Sequence, residues 1–169
     1  DDAPIVFACL PTPEVCQQVA LAEDGVTAGK AIAIYVETST LGMAAIDAIA
    51  AGLAARKIQF LDNPIVGGGG GAGVADGKAA TITSGPRDAF ARVEPVLKSL
   101  TRNVFYAGEK PGLAQVCNCV NAALAITGLT IACEAMVMGV KAGVDAKLLL
   151  DIVNAGRGRN VTTEERFAR

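Results

Sequence analysis

The side chains that most often move protons or hold metals are scarce in this chain. Its 169 residues include no histidine, which removes the commonest general acid–base and metal ligand. Proton transfer is left to lysine, tyrosine, a carboxylate, a thiol or water. The five cysteines, Cys9, Cys16, Cys117, Cys119 and Cys133, are odd in number and match no zinc or thioredoxin spacing. They read as small buried thiols in a reducing, cytoplasmic setting, with no metal expected. The other chemically suggestive segment is the glycine run at residues 67–73. A dinucleotide fingerprint needs a helix opening straight after its glycines, so that the helix N-terminus faces the pyrophosphate. Here Val74–Gly77 and then a strand-like stretch follow. A phosphate cradle is therefore the least favoured of three readings, behind a plain flexible loop and a backbone-lined seat for a small anion, whose close approach glycines permit.

The elements around these residues alternate. Ile5–Leu10, Ala31–Val36, Ile58–Leu61, Lys78–Thr83 and Val104–Tyr106 read as short, mostly buried strands. The segments from Thr12 to about Leu21, Met43–Ala55 and Arg87–Leu100 read as helices, with Thr12 as an N-cap ahead of Pro13 and with Ser84-Gly-Pro86 capping the third. Strand–helix alternation predicts an α/β domain with a parallel or mixed sheet. After Gly108 the pattern becomes all-helical. One helix is expected from Pro111–Gly112 to about Ala142, with Leu113, Val116, Val120, Leu124 and Ile131 near helical spacing. A second follows Asp145, its N-cap, to Asn154. The boundary falls near residues 108–112, giving domains of residues 1–108 and 109–169. The chain opens almost on a strand and stops after a helix end, so it reads as an internal fragment.

Composition narrows the partners. Apolar residues make up 51%, charged residues 19%, and the net charge is -2. A packed core is therefore possible and nucleic acid is not an expected partner. The apolar run from Cys119 to Val140 is long enough for a membrane span. It contains Asn121 and Glu134, and a helix buried between domains is the preferred reading, with no membrane partner.

An ordered set of motifs resembles the β-hydroxyacid dehydrogenases of the 3-hydroxyisobutyrate dehydrogenase and tartronate semialdehyde reductase type. Cys9–Glu14 (Cys-Leu-Pro-Thr-Pro-Glu) is similar to a strand-end segment finishing in Leu-Pro. Glu37-Thr-Ser-Thr40 is similar to Asp-x-Ser-Thr, and Asp62-Asn-Pro-Ile-Val-Gly-Gly68 to Asp-Ala-Pro-Val-Ser-Gly-Gly. Gly112-Leu-Ala-Gln-Val-Cys-Asn118 is similar to Gly-x-Gly-Gln-x-x-Lys, and Glu134–Asp145 to the helix that follows. The resemblance implies a Rossmann-type NAD(P)-binding domain, here without its first βαβ unit, then a long interdomain helix and the start of an all-α domain. It implies a small carboxylate, carbonyl or imine substrate, hydride transfer with NAD or NADP, and a homo-oligomer. By position, Leu10, Pro11, Ser39 and Thr40 would meet the cofactor, at strand ends where α/β sheets place ligands. Val66, Gly67 and Gly68 would meet the substrate.

The departures fall on the substrate side. Asn118 stands where the family keeps its catalytic lysine, Ala122 where it keeps an asparagine, Val66 where it has serine, and Glu37 where it has aspartate. Residues 112–122 contain no lysine, so no shift of alignment restores one. Asn118 and Asn121 lie three apart on one helix face and are the candidate catalytic pair. An amide donates and accepts hydrogen bonds but has no proton to release near neutral pH. The expected function is an NAD(P)-dependent oxidoreductase whose substrate needs no lysine or whose proton comes from water. The alternative is a cofactor- or ligand-binding homologue without catalysis.

Overall fold

The computed structural model describes residues 3–67, 75, 77 and 79–167. The chain folds as two compact units, Asp1–Asn118 and Cys119–Arg169.

In the first unit, β1 (Ile5–Ala8), β2 (Ile34–Glu37) and β3 (Gln59–Asp62) pair in parallel. β3 then meets β5 (Ala80–Ser84) antiparallel through Asp62 and Ser84. β4 (Ile65–Val66) also pairs antiparallel with β5, and β6 (Asn103–Gly108) pairs with β5 in parallel. The sheet is mixed, as alternation of strands and helices allows. The expected strands are present, with ends shifted by at most three residues. β4 is an addition to them: two residues carry no period.

Helices cover both faces. α1 (Pro13–Leu21) and α2 (Met43–Ala55) pack Cys16, Ala20, Ile46, Ile49 and Leu53 against Tyr35 and Phe60. α3 (Arg87–Leu100) packs Phe90, Val93 and Leu97 against Ile34, Val36 and Leu61. Alternate residues of β2 thus serve opposite cores. That is why Ile34–Val36 carry no charge, and why the acid at the end of the strand, Glu37, is fully buried.

The local signals work as chemistry requires. The Thr12 side chain accepts a hydrogen bond from the Val15 N–H at 3.3 Å, so it caps α1. Thr12→Ala should lower stability by about 1 kcal/mol, read as an earlier urea midpoint with unchanged slope. Gly85 has φ +134, and a Cβ there would run into the Phe60 carbonyl, so the β5–α3 turn demands glycine.

Three expectations are corrected. Ser84 does not cap α3: the helix has no side-chain cap at Pro86, and the Ser84 hydroxyl is engaged elsewhere. Of the five thiols only Cys16 is buried, while Cys9, Cys117, Cys119 and Cys133 are exposed, because they fall on a strand end and on faces of a helix that this chain does not cover. The long helix α4 (Leu113–Lys141) buries little of itself: Val120 is 58% and Leu124 72% exposed. It is also long and apolar enough to cross a membrane.

The second unit contains the rest of α4, then α5 (Ala146–Ala155) and a π-helical turn at Thr162–Arg166. Asp145 caps α5 through the Leu148 N–H at 2.9 Å. Asn160 accepts from the Thr162 N–H at 2.9 Å and the Thr163 N–H at 3.3 Å, which sets the final turn.

Candidate functional site

The C-terminal ends of β1, β2 and β3 come together with the start of α4 in the first unit. At the β1 end, the Leu10 N–H donates to Ser39 Oγ at 2.8 Å. The Thr38 hydroxyl donates to the Ala8 carbonyl at 2.6 Å. These two bonds lock the loop after β1 to the loop after β2. Pro11 and Thr40 are exposed there, and Leu10 is half-buried. Beneath them the Glu37 carboxylate accepts from the Ser39 N–H at 2.9 Å and the Tyr35 hydroxyl at 3.2 Å. Burial, and then the adjacent Glu37 charge, push the Tyr35 phenol far above its usual range, so it stays protonated and remains a donor.

Asn118 stands in this group. Its Nδ2 donates to the Thr40 hydroxyl at 3.2 Å. The structure therefore brings together Leu10 with Ser39, and Thr40 with Asn118. Val66 is half-buried in β4, paired with Ala80. Gly67 is exposed and has φ 78, a left-handed conformation that suits glycine. Gly68 and most of the glycine run lie outside the described residues. Asn121 belongs to the second unit, where it lines a cleft of about 210 Å³ with Leu124, Gly128, Asn160 and Val161.

One cluster escaped sequence reasoning. Asp62 is fully buried at the end of β3. Its Oδ2 accepts from the Gly112 and Gln115 N–H groups and the Ser84 hydroxyl, each at 3.2 Å. Its Oδ1 accepts from Gln115 Nε2 at 2.7 Å. The carboxylate thus caps the first turn of α4 from another element and faces the positive end of that helix. Burial nevertheless lifts the Asp62 pKa above its ordinary value, against the downward pull of its four donors. Gln115 also accepts from the Leu41 N–H at 3.0 Å and donates to the Ser39 carbonyl at 3.1 Å. The available signal was polarity out of place: an acid closing the apolar strand Phe60-Leu61, and a glutamine in the first turn of an apolar helix.

The crest formed by Leu10, Pro11, Ser39 and Thr40 suits a nicotinamide dinucleotide. Its side chains are uncharged, they combine an apolar edge with hydroxyls, and the acids at the ends of β2 and β3, Glu37 and Asp62, are buried and turned inward. A doubly wound sheet with ligand-facing strand ends defines a class, the Rossmann-type nucleotide-binding domains. Comparison with known proteins narrows it. The family model described as the NAD binding domain of 6-phosphogluconate dehydrogenase matches residues 1–108. The one described as NAD-binding of NADP-dependent 3-hydroxyisobutyrate dehydrogenase matches residues 112–169. The chain belongs to the β-hydroxyacid dehydrogenase family.

Individual relatives agree. A 3-hydroxyisobutyrate dehydrogenase of Pseudomonas aeruginosa is 32% identical over 165 residues, covering 95% of this chain and 53% of that protein. An NAD-dependent L-serine dehydrogenase of the same organism is 33% identical, covering 96% of this chain and 54% of its own length. The solved structure of 3-hydroxyisobutyrate dehydrogenase from Mycobacterium tuberculosis with L-serine superposes with a TM-score of 0.81 at 25% identity, over 96% of this chain and 54% of the other. The chain spans about half the length of the curated relatives it matches.

Proposed function

We propose that the whole protein is an NAD(P)-dependent oxidoreductase, acting between a small hydroxy acid and its semialdehyde, or on a related carbonyl or imine. When bound, the cofactor supplies or accepts the hydride. In this chain, Leu10, Pro11, Ser39 and Thr40 hold the cofactor end of the site. Val66, Gly67 and Gly68 receive the substrate, whose carboxylate suits backbone N–H groups. Asn118 and Asn121 are the proposed catalytic amides.

The observation that carries this reading is the placement of Asn118. Its amide sits beside Thr40, hydrogen-bonded at 3.2 Å, at the position where the family keeps lysine. It can orient a reacting group or a water but cannot release a proton. The substrate it suits is one already activated, such as a protonated imine, or one whose proton comes from solvent.

The working setting we propose is a homo-oligomer in the cytoplasm, with neither membrane nor nucleic acid as partner. The exposed apolar residues of α4 support association of like chains. Asn121 and Glu134 interrupt its apolar surface. Oxidation of NADH or NADPH by the whole protein, offered semialdehydes and cyclic imines, tests the function. Turnover of imines by the unmodified protein is expected. Cofactor binding without turnover of any of these compounds would refute it.

A further inference from the structure

We propose that Gln115 is a positioning residue: its side-chain amide sets the rotation of α4 against the Ser39–Leu41 loop and thereby holds Asn118 on Thr40. The inference rests on the oxidoreductase reading above and concerns how that site is assembled. Gln115 is buried, with 5% exposure, and all of its polar capacity in the fold is directed at two other elements. Its Oε1 accepts from the Leu41 N–H at 3.0 Å, while its Nε2 donates both to the Ser39 carbonyl at 3.1 Å and to Asp62 Oδ1 at 2.7 Å.

These partners fix the orientation of the amide. Leu41 N–H can only donate, and a backbone carbonyl can only accept, so a flipped amide would face two like groups. The Asp62 carboxylate demands a donor at the same nitrogen. A side chain held at three points cannot rotate, and neither can the helical turn that bears it. Asn118 lies three residues on, on the same side of α4, and its bond to Thr40 closes the arrangement on the residue between Ser39 and Leu41. No bond to a reacting molecule is required of Gln115. Its effect passes through Asn118 and Thr40.

The test compares unmodified whole protein with Gln115→Ala and Gln115→Glu. Turnover of the substrate that the unmodified protein uses should fall about 10–100-fold in Gln115→Ala, the scale of a misplacement near 1 Å. Amide exchange at Leu41 should quicken, while that at Leu10, held by Ser39 Oγ, should stay slow. Gln115→Glu keeps the shape but sets a second carboxylate against Asp62 Oδ1. Two carboxylates at that range share one proton, and the shared proton restores a donor between them. The groups around the pair are Ser84, the Gly112 N–H and the Ser39 carbonyl, with Glu37 in register on β2 as the other acid.

Gln115→Glu should therefore be impaired at neutral pH and recover toward the unmodified rate as pH falls, a profile that a packing defect does not produce. Equal losses in both variants at every pH, or unchanged Leu41 exchange in Gln115→Ala, would overturn the proposal. Should the unmodified protein turn over nothing, the function proposed above fails, and the exchange measurement still decides the role of Gln115.

Discussion

Asn118→Lys is expected to raise semialdehyde reduction by the whole protein about 10²–10⁴-fold, the usual worth of a positioned general acid. A semialdehyde carbonyl becomes an alkoxide unless a proton arrives with the hydride. Asn118 can hydrogen-bond to that oxygen but cannot protonate it. Lysine at the same point of α4 reaches the same surroundings, beside Thr40 and at the end of β2. The nearest acid on that strand, Glu37, already holds the Ser39 N–H and the Tyr35 hydroxyl, so it is not poised to pair with the new ammonium. A partly buried lysine without a partner titrates below its free value, which favours proton exchange at working pH. Imine turnover should change in the opposite direction, because a second cation beside a protonated imine is repelled. The paired measurement is steady-state reduction of both substrate types by both forms. Equal rates in the two forms would place the chemistry away from residue 118 and undo the assignment of this position.

The sequence made some of this architecture readable because the decisive forces are local. The bounds of α2 and α3 agree with the pattern of alanine, leucine and charged residues in Met43–Ala55 and Arg87–Leu100. Thr12 and Asp145 announced helix starts through caps that act within three residues. The loops bearing Leu10, Pro11, Ser39 and Thr40 were singled out through motif order. Their mutual bonds span 29 residues between Leu10 and Ser39, and 78 between Thr40 and Asn118. No periodicity encodes such pairings.

The Asp62–Gln115 contact, 53 residues apart, was invisible for the same reason, although both residues stand in family-like motifs. Ser84 illustrates the failure in miniature. A serine three residues ahead of a helix looks like a local cap, but its hydroxyl donates to Asp62 and accepts from the Ala114 N–H at 3.1 Å. Tertiary demand won over local propensity because the start of α4 is buried and its free N–H groups must be satisfied. α4 carries apolar residues on every side, so sequence could not say which side the first unit would cover. Only Ala114, Gln115 and Ala132 are buried along it.

Asp62→Ala should be the most damaging single change to folding in the first unit, at about 3–5 kcal/mol. It removes the acceptor of four buried donors: the Gly112 and Gln115 N–H groups, the Ser84 hydroxyl, and one N–H of Gln115 Nε2, whose other N–H keeps the Ser39 carbonyl. Each unmade bond in a buried place costs about 1–3 kcal/mol, and neighbouring losses overlap. Asp62→Asn should cost less, since one oxygen still accepts, but its new N–H must face a donor. The pH dependence separates this structural part from the cost of the charge. Burial holds the folded pKa of Asp62 above the unfolded value of 3.8. The folded state therefore binds this proton more tightly, and the contribution is fully present below the unfolded pKa and lost as pH rises through the folded one. The amide of the Asp62→Asn variant does not titrate. In urea denaturation the stability advantage of the unmodified protein over Asp62→Asn should consequently shrink as pH rises from about 4. An advantage that grows over the same range would mean that the four donors and the α4 dipole outweigh burial, and that Asp62 is held in the fold as a stabilised anion.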